Sequence, residues 1–113
     1  YVTFLGSVNR LEIKKWLSAA DVFLFTTLRQ EGLPTNVLEA HAAGLPVVIS
    51  EHAMDRRFQA VAVDPQQPST IAAAIKTVSI VGERISTLHE DFNIKNSAKY
   101  YCELFGNIAG EKN

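Results

Sequence analysis

Apolar positions along the chain alternate between two spacings. "YVTFLG", residues 1–6, is a β-branched and aromatic run stopped by Gly6, the pattern of a short strand. Asn9 then precedes "RLEIKKWLSAA", where Ile13, Trp16, Leu17 and Ala20 recur at helical spacing and the lysines face outward. With Asn9 as N-cap, Glu12 falls at N3 for a capping box and Val8 can staple onto Ile13. After Asp21, "VFLFTT" is apolar enough for a strand buried on both faces of a parallel sheet.

A loop from about Leu28 to Pro34 and a helix from about Thr35 to Ala43 follow. Gly44 is placed to supply a left-handed cap and Pro46 to stop the helix. "PVVIS" reads as a buried strand, and "FQAVAVD" as a further one weakened by its alanines. Beyond Pro65 and Pro68, Ile71, Ile75 and Val78 mark a helix face, which Gly82 breaks; residues 83–92 carry no clear pattern. Ala98, Tyr101, Cys102 and Phe105 define a last helix from about Ile94 to Phe105, and Gly106 and Gly110 loosen the tail. Strands alternating with helices at these lengths specify βαβ units and a right-handed parallel sheet. The expected fold is α/β, a Rossmann-like parallel sheet of about four strands flanked by helices. Because Tyr1 already lies in a strand-like run, the chain is expected to begin inside a domain, with no signal peptide.

Composition narrows the function classes. The chain has 113 residues, 47 % of them apolar and 20 % charged, which fits a folded domain and argues against disorder. A formal charge of −1 with scattered basic residues argues against nucleic-acid binding. No apolar run approaches the roughly 20 residues that span a bilayer. Cys102 is the single cysteine, so no internal disulfide forms and a reducing compartment is expected.

The chemistry concentrates in "QEGLPTNVLEAHAAGLPVV", residues 30–48, where Glu31 lies in a loop and Glu39 in the following helix. Loops beyond the carboxyl ends of parallel strands are where such sheets bind ligands. The first turn of the helix, Thr35, Asn36 and Val37, offers unpaired N–H groups and a positive dipole end suited to a diphosphate. A diphosphate resting on the Asn36 and Val37 N–H groups would have one carboxylate toward each end, and carboxylates accept well from sugar hydroxyls. A plainer account also fits. With Asn36 as N-cap, Glu39 would close a capping box, and Glu31 would be a solvated loop acid. Spacing alone does not decide between them.

Residues 20–50, "ADVFLFTTLRQEGLPTNVLEAHAAGLPVVIS", resemble the donor-binding segment of GT-B type glycosyltransferases of family 4. Glu31, Gly32, Leu33, Pro34, Glu39, Ala40, Ala42, Ala43, Gly44, Pro46, Val47 and Val48 match its motif. "FNIKNSAKYYCELF" resembles the closing helix of the capsular and exopolysaccharide branch; residues 51–93 are the weakest part of the likeness. The resemblance implies that residues 1–93 form the C-terminal part of a nucleotide-sugar-binding domain and 94–113 a closing helix and tail. It implies a retaining bacterial glycosyltransferase that requires no metal and no other cofactor. Such an enzyme would move sugar from a nucleotide-diphosphate donor, a UDP-sugar being expected, to a glycan or lipid-linked acceptor in polysaccharide synthesis. Glu31 would contact the donor sugar near the reacting carbon, as an orienting and charge-stabilising group. Glu39 would bind the ribose hydroxyls. Gly32, Leu33 and Pro34 would lie along the sugar, and Thr35, Asn36 and Val37 near the diphosphate. It implies a cytoplasmic location, with the full-length enzyme able to sit peripherally at the inner face of the membrane.

There are departures. The family's glycine loop and basic grip on the diphosphate would precede Tyr1, as would its acceptor domain, so this chain alone is expected to be inactive. His41, two residues beyond Glu39 and so about 200° around the helix, is expected in packing or solvent. His52 and His89 are expected at the surface, and Arg56 or Arg57 in a solvated charge pair rather than on a phosphate. A non-catalytic nucleotide-sugar-binding or scaffold domain, or another GT-B enzyme such as a UDP-sugar epimerase, would share the fold.

Overall fold

The computed structural model describes residues 1–30, 32–79 and 85–93. Three strands, β1 (Phe23–Phe25), β2 (Val47–Ser50) and β3 (Ala60–Val63), form a parallel sheet in the order β1-β2-β3. Its register pairs Phe23 with Val47 and Val47 with Ala60. Helices α1 (Arg10–Ala19), α2 (Thr35–Ala42) and α3 (Pro68–Val78) complete an α/β, Rossmann-like arrangement. The helix expected near residues 94–105 lies outside the described residues.

Alternation along β2 divides the core. Val47 and Ile49 join Val37 and Ala40 of α2, with Leu17 and Ala20 of the α1 region packed against the same cluster. Val48 points to the opposite face, where Val63 and Ala74 meet the predicted α3 stripe of Ile71, Ile75 and Val78. Every residue of β2 is buried.

Two strand expectations are corrected. Residues 1–6 form no strand, and Phe4 is 93 % exposed. The apolar pattern is present, but no described backbone lies alongside to pair with it, and a lone strand gains no ladder hydrogen bonds or cross-strand packing to hold it extended. Three strands rather than four are therefore found among the described residues. "VFLFTT" shortens to Phe23–Phe25 and is not covered on both sides: Leu24 is 44 % exposed because β1 is an edge strand here.

The helix ends follow their residues closely. Asn9 Oδ1 accepts from the Glu12 N–H at 2.9 Å, while the Glu12 carboxylate reaches the Asn9 side-chain amide at 3.5 Å rather than its main chain. At the end of α2 the Gly44 N–H donates to His41 O and the Leu45 N–H to Ala40 O, both at 3.0 Å, a complete Schellman closure. Gly44 has the left-handed φ of 75° that this closure needs, and a Cβ there would lie 2.9 Å from the Ile85 carbonyl oxygen.

The segment 85–93 straps the α2 side of the sheet. Thr87 donates its N–H to His41 O at 2.9 Å, and Thr87 Oγ1 lies 2.8 Å from His41 Nδ1. Phe92 packs against the core cluster beside Phe58, and Phe58 against the His41 ring. Of the two places open to His41, it takes packing: it is 1 % exposed, with no partner for Nε2 among the described residues, and desolvation holds its pKa below the ordinary 6.5.

Gly44→Ala should destabilise the protein by at least about 1–2 kcal/mol in urea unfolding, from the left-handed backbone alone, with the Ile85 clash adding to it. Gly32→Ala, where a Cβ meets nothing within 4 Å, should stay within about 0.5 kcal/mol of wild type. His41 supplies a pH test. Because its folded pKa is depressed, the unfolded chain takes up the proton first, so stability is full above about pH 6.5 and is lost as pH falls toward the folded value. The slope from this one group cannot exceed about 1.4 kcal/mol per pH unit. Unfolding midpoints between pH 7.5 and 5.5 should fall in wild type and stay flatter in His41→Asn.

Candidate functional site

The loop after β1 and the start of α2 lie together at the carboxyl edge of the sheet, as the parallel topology requires. Thr26 and Thr27 are half-buried, Leu28, Arg29 and Gln30 exposed, and Gly32 and Leu33 exposed before the buried Pro34. Glu31 itself lies outside the described residues. Hydrogen bonds from the end of β2 and just past it hold the loop: Ser50 Oγ donates to Thr27 O at 2.8 Å and lies 3.3 Å from Phe25 O, and His52 Nε2 lies 2.9 Å from Arg29 O.

Pro34 occupies the N-cap position of α2 with no side-chain cap bond. Asn36 is therefore one residue inside the helix, and its Oδ1 accepts from the Val37 N–H at 2.9 Å. Two expectations change with this. Glu39 does not close a capping box, because Asn36 is not the cap. The Val37 N–H is already occupied, so the main-chain donors without an acceptor among the described residues are those of Thr35 and Asn36. These two point outward at the positive end of the helix dipole.

Glu39 lies one turn further on, exposed and without a side-chain partner among the described residues. It lines a cleft of about 480 Å³ between α1 and α2. Across from it stand Arg10 and Lys14, over an apolar floor that includes Leu17, Ala42 and Ala43. Neither cation forms an ion pair among the described residues. Residue patterning alone treats these cations as the solvated face of α1. Their spacing of four, on one helical stripe, is the signal that could have joined them to Glu39.

Other charged groups are committed elsewhere. Arg57 binds Asp55 through Nε at 2.8 Å and through a second nitrogen at 2.9 Å, and lies 4.4 Å over the Phe92 ring. The guanidinium and main-chain N–H of Arg57 hold the Asp55 carboxyl well below the usual carboxylate range. Arg57 is thus in the expected charge pair. His89 is exposed and caps the turn at residues 90–92, accepting the Asp91 N–H at 3.1 Å. His52 is half-buried against the loop instead of lying free at the surface. Among the described residues no three His, Cys, Asp or Glu side chains cluster to hold a metal ion, and no helix is long and apolar enough to cross a membrane.

Comparison with known proteins adds the family to this geometry. The amylovoran biosynthesis glycosyltransferase AmsK of Erwinia amylovora is 45 % identical over 56 residues, which cover 45 % of this chain and 14 % of that protein. The chain thus spans a small part of the curated relative it matches. No solved structure matches it. The family model described as "Glycosyl transferases group 1" matches residues 1–79, a span that holds α1, α2, the acidic loop and the whole sheet. This chain belongs to the group 1 glycosyl transferases.

Proposed function

We propose that this chain is the donor-binding part of a retaining GT-B glycosyltransferase that transfers sugar from a UDP-sugar to a glycan or lipid-linked acceptor in polysaccharide synthesis. The observation that carries the reading is the start of α2. Two main-chain N–H groups and the Glu39 carboxylate beside them, which lines a cleft, have no hydrogen-bond partner among the described residues. The name of the relative, a glycosyltransferase of amylovoran biosynthesis, supports the polysaccharide setting.

The donor's diphosphate takes the Thr35 and Asn36 N–H groups, with Val37 behind them. As the bond between the anomeric carbon and the diphosphate breaks, negative charge builds on the leaving oxygen. The helix N-terminus meets that charge without reorganising, in the role a divalent cation fills at other transferases. The acceptor hydroxyl oxygen bonds to the anomeric carbon on the face the diphosphate leaves, which retains configuration, and its proton passes to the departing diphosphate oxygen. Glu39 accepts hydrogen bonds from the ribose hydroxyls, and its freedom from any capping bond leaves both oxygens available.

Glu31 orients the sugar and offsets positive charge at the reacting carbon. Gly32, Leu33 and Pro34 lie along the sugar. Nothing in the fold requires a glycine at residue 32, since a Cβ there meets open space and φ is not in the left-handed region. A bare Cα lets a ligand approach the main chain closely. The full-length enzyme works in the cytoplasm, peripherally at the inner membrane face where lipid-linked acceptors are presented.

In the full-length enzyme, Glu31→Gln should cut transfer about 100-fold or more while UDP affinity changes little. Glu39→Ala should weaken UDP binding in calorimetry by about tenfold, the loss of charge-assisted hydrogen bonds to the ribose. Full transfer and full UDP affinity in both variants would falsify the site assignment and favour a scaffold with the same fold.

A further inference from the structure

Pairing between β1 and β2 ends at Phe25 and Ile49, yet the chain beyond Phe25 does not leave the sheet freely. In an extended chain the carbonyls of alternate residues point to the same side. Here the carbonyls of Phe25, Thr27 and Arg29 all meet side chains of residues just past or at the end of β2. Ser50, 0 % exposed, gives its single hydroxyl proton mainly to Thr27 O at 2.8 Å, with Phe25 O at 3.3 Å sharing it. His52 Nε2 stands 2.9 Å from Arg29 O. A ring nitrogen facing a carbonyl must carry a hydrogen, so neutral His52 is the Nε2–H tautomer. The imidazolium donates the same bond, so the tie survives protonation. On the other side of the turn the Arg29 N–H donates to Thr27 Oγ1 at 3.1 Å.

We infer that Ser50 and His52 are positioning residues for sugar transfer: their side chains prolong the parallel β1–β2 pairing onto the loop and fix the main chain at Thr27 and Arg29, from which the sugar-facing segment follows. Arg29 is two residues ahead of Glu31 and three ahead of Gly32, so its carbonyl is the last side-chain-anchored point before the sugar-facing segment among the described residues. This inference rests on the proposed role of Glu31 and its neighbours. Neither side chain touches the donor in this scheme; both act by holding the main chain, where a displacement of about 1 Å can cost on the order of 100-fold in rate.

The test compares His52→Phe, which removes the donor, with His52→Gln, whose amide nitrogen reaches the position of Nε2 and keeps it. In the full-length enzyme, release of UDP from UDP-glucose and UDP-galactose should fall about tenfold or more in kcat for His52→Phe, with donor KM within about threefold. His52→Gln should stay within about twofold of wild type, and the His52→Phe loss should be the same factor at pH 5.5 and pH 8, because both protonation states donate. A histidine working as an acid or base would give a loss that varies with pH and no rescue by glutamine, and either result overturns the inference. Amide exchange of residues 28–30 in the same protein supplies an independent arm. Faster exchange in His52→Phe and Ser50→Ala than in wild type supports the anchoring; unchanged exchange overturns it whatever the reaction proves to be. Faster exchange with intact UDP release overturns the link to catalysis. Undiminished turnover in Glu31→Gln would instead overturn the functional reading and leave the anchoring standing.

Discussion

The described structure depends on the complete burial of Val47–Ser50. A strand covered on both faces and paired on both edges has no solvent-facing surface, so each neighbour is placed by what this strand offers it. Val47 and Ile49 take α2 and the α1 region on one side, and Val48 takes α3 on the other. The last residue, Ser50, is polar and buried, which is tolerable because its hydroxyl reaches main-chain carbonyls at the strand's end. The same strand that organises the core thereby governs the loop at the candidate site.

Much of this was legible in the residues. The helical stripe from Ile13 to Ala20, the Gly44–Pro46 stop and the apolar "VVI" run each carry a local physical cause that acts whatever the surroundings. The strand expected at residues 1–6 shows where local pattern ends. β-propensity describes fitness for a pleated, half-buried surface and cannot provide the neighbouring backbone. Leu24 makes the same point from the other direction, since a fully apolar run does not report whether its strand is central or at an edge.

The site divides along similar lines. The motif marks Glu31, Glu39 and the helix start, and the structure puts the last two at one edge. Which N–H groups of α2 lack an acceptor among the described residues was not legible, because it turns on whether Pro34 or Asn36 caps the helix, a shift of two residues. Nor were Arg10 and Lys14 on Glu39's cleft, since that meeting requires α1 and α2 to lie on the same face of the sheet. His41 and His52 look alike in the sequence as single histidines amid helix and loop. Burial against Phe58 separates the first, and the distance to one carbonyl separates the second.

The link between β2 and β3 runs through residues 51–59 with only a single 3₁₀ turn, Glu51–Ala53, where parallel strands are commonly joined by a full helix. Phe58 and Phe92 share the ground beside α2, contributed by two segments far apart in sequence. Chain downstream of α3 therefore finishes a layer that the crossover left incomplete. A longer crossover helix would compete with residues 85–93 for the same berth. The length of the crossover thus sets the room left for residues 85–93.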